Sequence, residues 1–150
     1  MQGRWKAAAI LYAVCLGGCG GYSQRANIER VAPVSGTLTF QGKPLEFHQV
    51  MFAPEDGRRP AMGVTDAMGK FTLGTNKPDD GAPPGLNKVT IVWVGPPPKN
   101  DPGNEVIIED VSKLPKPKIR IPAKYGNPET SGLTQDVPSG GLSDLKIDLK

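Results

Sequence analysis

Val34-Ser35-Gly36-Thr37-Leu38-Thr39-Phe40 sets Val34, Leu38 and Phe40 on one side of an extended chain and Ser35, Thr37 and Thr39 on the other. That period of two is the pattern of a strand with one buried face. Gln41-Gly42-Lys43-Pro44 reads as a turn, and Phe47–Phe52 as a second strand with Val50 and Phe52 inward, stopped by Pro54. Downstream, Ala61–Thr65 and Lys70–Leu73 flank Asp66-Ala67-Met68-Gly69, the punctuation of a hairpin. Asn87–Val94 (NKVTIVWV) is nearly continuous in apolar residues, which predicts a central strand covered on both faces. The last strand, Asp144–Leu149, turns Leu145, Ile147 and Leu149 inward.

Composition agrees with this reading. The 150 residues include 19 Gly and 16 Pro but few aromatics, and no stretch carries an apolar stripe at helical spacing. Short strands joined by many turns are expected, about seven of them in one antiparallel β-sandwich. Residues 95–118 are rich in proline and lysine and read as an irregular insertion, with Val106–Val111 as a short edge strand inside it.

The N-terminus has a different logic. Arg4 and Lys6 precede an apolar run, Ala7–Leu16, and no acidic residue occurs before Glu29. The run is shorter than the ~20 residues that a permanent transmembrane helix needs. A basic start, a short apolar core and small residues mark residues 1–18 as an export signal, followed by a flexible tether at 19–32 and the folded domain at 33–150. Leu16-Gly17-Gly18-Cys19 resembles the lipobox of bacterial lipoproteins, in which the cysteine becomes the first mature residue and carries acyl chains. Cys19 is therefore the candidate lipidation site and membrane lipid the implied partner. Gly20, in place of the Asp that often signals inner-membrane retention, favours the outer membrane.

Processing before Cys19 would remove Arg4 and Lys6 and bring 18 basic residues close to the 15 acidic ones, leaving a nearly neutral domain. No basic block suggests a nucleic-acid partner. Of the two cysteines, one lies in the signal and the other would be thioether-bonded, so no internal disulfide is expected.

Three segments resemble carboxypeptidase regulatory-like domains: the opening, Val34–Phe40 with Gly42-Lys43-Pro44-Leu45 and Val50-Met51-Phe52-Ala53-Pro54, then Thr65–Phe71, and Pro83–Ile91. The resemblance implies a transthyretin-like (prealbumin-like) sandwich of seven strands. Ile121-Pro122-Ala123-Lys124-Tyr125-Gly126 and Thr130-Ser131-Gly132-Leu133 look like a group of short planctomycete envelope lipoproteins.

Chemistry is sparse. His48 is the only histidine, so sites needing two imidazoles are excluded, and no serine lies in a nucleophile elbow. The zinc carboxypeptidase ligand set is absent, as is the C-terminal Tyr-Arg-Gly-Ser of the transthyretin-related hydroxyisourate hydrolases. His48 reads as a strand-edge residue. Glu55-Asp56, Asp79-Asp80-Gly81 and Glu109-Asp110 read as solvated turn carboxylates rather than calcium ligands. Trp93 shares a face with Val89 and Ile91 and is expected in the core. Tyr125 could stack on a ligand, or it could pin a long loop to the sandwich by burying its ring. No metal, cofactor or catalytic residue is expected. The function expected is that of a non-enzymatic, lipid-anchored envelope protein with a structural or protein-interaction role. The alternative is a carbohydrate- or peptide-binding module at the cell surface, whose partner would be an envelope protein or a glycan.

Overall fold

A computed structural model describes residues 28–97 and 115–150, and these fold into two β-sheets around one apolar core. In the first sheet β1 (Val34–Phe40) is central. Strand β8 (Leu142–Leu149) lies on one side of it, and β5 (Lys70–Thr72) with the two-residue β2 (Lys43–Pro44) on the other. The second sheet runs β4–β3–β6–β7, with β4 at Ala61–Val64, β3 at His48–Pro54, β6 at Gly85–Trp93 and β7 at Thr134–Val137, all antiparallel. A 3-10 turn, Ala123–Gly126, packs along β6. No helix among the described residues is long and apolar enough to cross a membrane.

The alternations read from the sequence set the faces. Val34 and Leu38 of β1, Phe71 of β5 and Leu149 of β8 are buried from one side; Val50 and Phe52 of β3, Ala61 of β4 and Val89 and Ile91 of β6 close the core from the other. The turn between β1 and β2 places Gln41 at φ 52° and Gly42 at φ 76°. Two successive positive φ values match the twist of the strands they join, which is why a Gly stands at the second position.

Several expectations meet corrections in the fold. The sandwich is not wholly antiparallel, because β8 runs parallel to β1. Side chains alternate identically beside a parallel or an antiparallel neighbour, so the pattern of Asp144–Leu149 carries no sign of direction. Eight strands are present among the described residues; β2, two residues too short to show a period, and β7 are the two that the alternation does not announce.

The turn at Asp66–Gly69 forms, with Gly69 N–H donating to the Asp66 carbonyl at 3.0 Å and Asp66 N–H to the Lys70 carbonyl at 2.9 Å. Its arms, however, go to different sheets: β4 pairs with β3 and β5 with β1, leaving one bridge between Met62 and Gly74. The segment is the passage from one layer to the other. Finally, β6 is central and covered on its inner face, but only in part on its outer one, where Thr90 is buried while Leu86 and Val92 are nearly half exposed.

Residues just ahead of Pro33 also pack on the domain. Glu29 N–H donates to Asn76 Oδ1 and Asn76 Nδ2 donates back to the Glu29 carbonyl, both at 2.9 Å. Ala32 is buried and bridged to Ala82. Glu29 and Ala32 are docked, and the loop that Glu29 docks on is organised by Asp80, whose carboxylate accepts backbone N–H groups of Thr75, Asn76 and Lys77 at 2.7–3.3 Å. Desolvation alone would raise the Asp80 pKa, but those bonds outweigh it and hold the carboxyl below its ordinary value. The export signal, Cys19, the edge strand expected at Val106–Val111 and Glu109-Asp110 lie outside the described residues.

The β1–β8 pairing contains one irregularity. Val34 faces Leu142 and Gly36 faces Leu145, so β8 holds one residue more than β1 over that interval. The extra residue is accommodated where Asp144 takes φ 58°. Leu145 is thereby pushed against β1, and a Cβ at position 36 would overlap its carbonyl oxygen and stand 2.9 Å from Phe71 Cζ. Only glycine fits there.

Candidate functional site

Three separated segments converge at one end of the sandwich. The chain leaves β2 at Pro44, buries Leu45 and enters β3 through Phe47, whose φ is 57°. A left-handed conformation is uncommon for a bulky aromatic residue and costs on the order of 1–3 kcal/mol, so the surroundings must hold it. They do: Phe47 N–H donates to the Thr65 carbonyl and Val94 N–H donates to the Phe47 carbonyl, each at 3.0 Å. The next residue, His48, is fixed by its own N–H donating to Thr65 Oγ1 at 2.9 Å. Across the sheet His48 is in register with Trp93 at the end of β6.

These residues, with Ala67, Pro96, Pro115, Lys116, Lys118 and Ile119, line a cleft of about 570 Å³. Its walls are mostly apolar: Leu45, Phe47, Trp93, Pro96, Pro115 and Ile119. Lys43, Glu46, Lys116 and Lys118 supply the charges, and Lys118 Nζ pairs with Glu46 at 2.7 Å. Lys118 is well exposed, so that pair contributes little to stability.

His48 is the most informative group in the cleft. It is 2 % exposed, which corrects its reading as a strand-edge residue. Its Nδ1 lies 2.8 Å from the Glu46 carbonyl oxygen. A carbonyl can only accept, so Nδ1 carries the proton and Nε2 presents its lone pair. Among the described residues Nε2 has no hydrogen-bond partner. Burial pushes the imidazole below its ordinary pKa of 6.5, and the bond to Glu46 offsets this only in part.

A stability measurement follows from that shift. Above pH 6.5 both folded and unfolded chains hold His48 neutral; below it the unfolded chain takes up a proton that the native imidazole resists. Stability is therefore expected to fall, by up to roughly 1.4 kcal/mol per pH unit, as the pH drops from 6.5 towards the native pKa. Asp80 and Asp148 are held below 3.8 and stay charged in this window. Urea unfolding of His48→Gln between pH 7 and 5 should show the slope removed; an unchanged slope would mean that His48 is not its source.

The other candidate residues are placed as follows. Tyr125 is buried in the core, and its hydroxyl donates to the Lys150 carbonyl at 2.8 Å. The ring packs as a pin and presents no open face; the charged end of Lys124 lies 4.8 Å from its centroid. Trp93 is half-buried at the cleft rather than fully in the core. Asp56 is tied to Arg58 at 2.7 Å and Asp80 to its own loop, which spends them as turn organisers. No group of three or more ligand-type side chains that could hold a metal ion occurs among the described residues. Sequence reasoning missed the cleft itself. The available signal was Glu46-Phe47-His48, where a lone histidine opens an otherwise apolar inner face of β3.

No protein family, curated protein or solved structure matches the chain.

Proposed function

We propose that this protein is a non-enzymatic, lipid-anchored domain of the cell envelope that works by binding. In this reading Cys19 is the anchor and the sandwich, of the transthyretin-like kind, is the interaction module. The observation that carries the binding role is the setting of His48: the chain's single imidazole is held by a main-chain carbonyl, not by a carboxylate, at the base of an apolar cleft. A general base is normally oriented by a charged partner and set beside the group it deprotonates. A neutral imidazole fixed through backbone in apolar walls is suited to recognise a hydrogen-bond donor. The anchor is supported by Leu16-Gly17-Gly18-Cys19 behind a short apolar run. The finer fold assignment is supported by where the resembling segments fall: Val34–Phe40 forms β1, Thr65–Phe71 makes the passage between sheets, and Pro83–Ile91 leads into β6.

Expression of the full chain and of Cys19→Ser in a bacterial host, with an alkyne-labelled fatty acid, tests the anchor. The parent is expected to incorporate label and sediment with membranes, because two or more acyl chains hold stably where one does not. Cys19→Ser should lose the label entirely. A serine variant that is still cleaved and still labelled would refute lipidation at Cys19.

A further inference from the structure

We infer that the His48 cleft is a binding site for a small amphipathic anion: a flat apolar body bearing one N–H or O–H donor and one negative charge. The inference rests on the reading of the domain as a binding module and names the ligand class that it would take.

Each part of the ligand answers a part of the cleft. The apolar body answers the walls of Leu45, Phe47, Trp93 and Ile119, which enclose a volume within the ordinary range for small-molecule sites. Trp93, half-buried and in register with His48, offers a ring edge or face at the mouth, which favours a flat body. The donor answers Nε2 of His48. The Glu46 carbonyl fixes the tautomer that leaves Nε2 as an acceptor, and a buried acceptor without a partner gains by meeting an N–H or O–H. A metal ion would be a second candidate for that lone pair, but no further ligand-type cluster accompanies it among the described residues.

The negative charge answers the rim. Among the described residues Lys43, Lys116 and Lys118 face the cleft against a single carboxylate, Glu46, which is already bonded to Lys118. The balance is positive although the domain around it is close to neutral. Phe47, a wall of the cleft, holds a left-handed backbone, which is consistent with a shape maintained at a cost.

The test uses the full chain carrying Cys19→Ser, so that no detergent is needed, and two probes. 8-Anilinonaphthalene-1-sulfonate has the flat body, the N–H and the charge; N-phenyl-1-naphthylamine has the first two alone. Because His48 is the only histidine, its imidazole nitrogen resonances report the site without ambiguity. The sulfonate is expected to bind saturably at one to one and to shift the Nε2 resonance, with the neutral probe about tenfold weaker. Lys43→Gln combined with Lys116→Gln should weaken the sulfonate about tenfold and leave the neutral probe unchanged. His48→Phe should weaken both probes, since each offers its N–H to Nε2, and the lysine variants carry the test should that variant unfold.

Three outcomes would overturn the inference: no saturable binding, equal binding of both probes, or binding that leaves the His48 resonances and the lysine dependence untouched. The last is also what binding elsewhere on the chain would give. None of these bears on the anchor, which the fatty-acid labelling of Cys19 decides separately.

Discussion

Replacing Gly36 by Ala is expected to cost about 3 kcal/mol of folding stability, and by Val more. The reason is steric: a Cβ at that position would occupy the space of the Leu145 carbonyl oxygen and press on Phe71. Neither neighbour can yield cheaply. Leu145 belongs to β8, which pairs with β1, and Phe71 is buried in the core. A domain of this size has only about 5–15 kcal/mol to lose, so the variant should unfold at markedly lower urea. Gly140→Ala is the matched control. Nothing stands within 4 Å of a Cβ there and its φ is not in the left-handed region. That change should be neutral or slightly stabilising through the unfolded chain. Equal effects at the two positions would mean that β8 does not approach β1 as described.

Tyr125→Ala should be as severe, at about 3–5 kcal/mol, because it removes an aromatic ring that is 5 % exposed and opens a cavity beneath the 3-10 turn. Tyr125→Phe separates the two things that the side chain does. It keeps the ring and loses the bond to the Lys150 carbonyl, and should cost about 1 kcal/mol. The pair of variants, read by urea unfolding, decides the role of the residue. An alanine variant as stable as the parent would return Tyr125 to the list of ligand-stacking candidates.

Much of the layer structure was legible because it rests on alternation. Leu38, Val50, Phe52 and Ile147 all face where a period of two puts them. What could not be read is which strand stands beside which. Asp66–Gly69 has the composition of a hairpin turn and makes one, yet its arms separate because β3 and β1 compete successfully for them. Gly36 was visible as a glycine inside a strand, which is a known mark of close backbone approach, but the partner that approaches is more than 100 residues away. The cleft was illegible for the same reason. It joins residues 43–48, 93–96 and 115–119, and no pattern within any one of them announces the other two. His48 was noticed as the lone histidine, and its isolation argued correctly against a multi-histidine site. Its burial depended on the neighbours that only the tertiary arrangement supplies. Cys19 is the opposite case: its reading is carried wholly by local sequence, and it lies outside the described residues.

The parallel pairing of β1 with β8 has a consequence for how the protein is made. Thr39 Oγ1 donates to Asp148 Oδ1 at 2.7 Å across 109 residues of chain, and Phe40 is in register with Leu149. A polypeptide that emerges N-terminus first, from a ribosome or through a translocation pore, presents β1 long before its neighbour exists. The first sheet can then hold β1 with β2 and β5, but its other edge stays open until β8 arrives. Closure is a late event, set by the synthesis of β8 and by the slow search that distant contacts impose. During that interval the exposed edge of β1, with its alternating threonines, is the part of the nascent domain most in need of a chaperone.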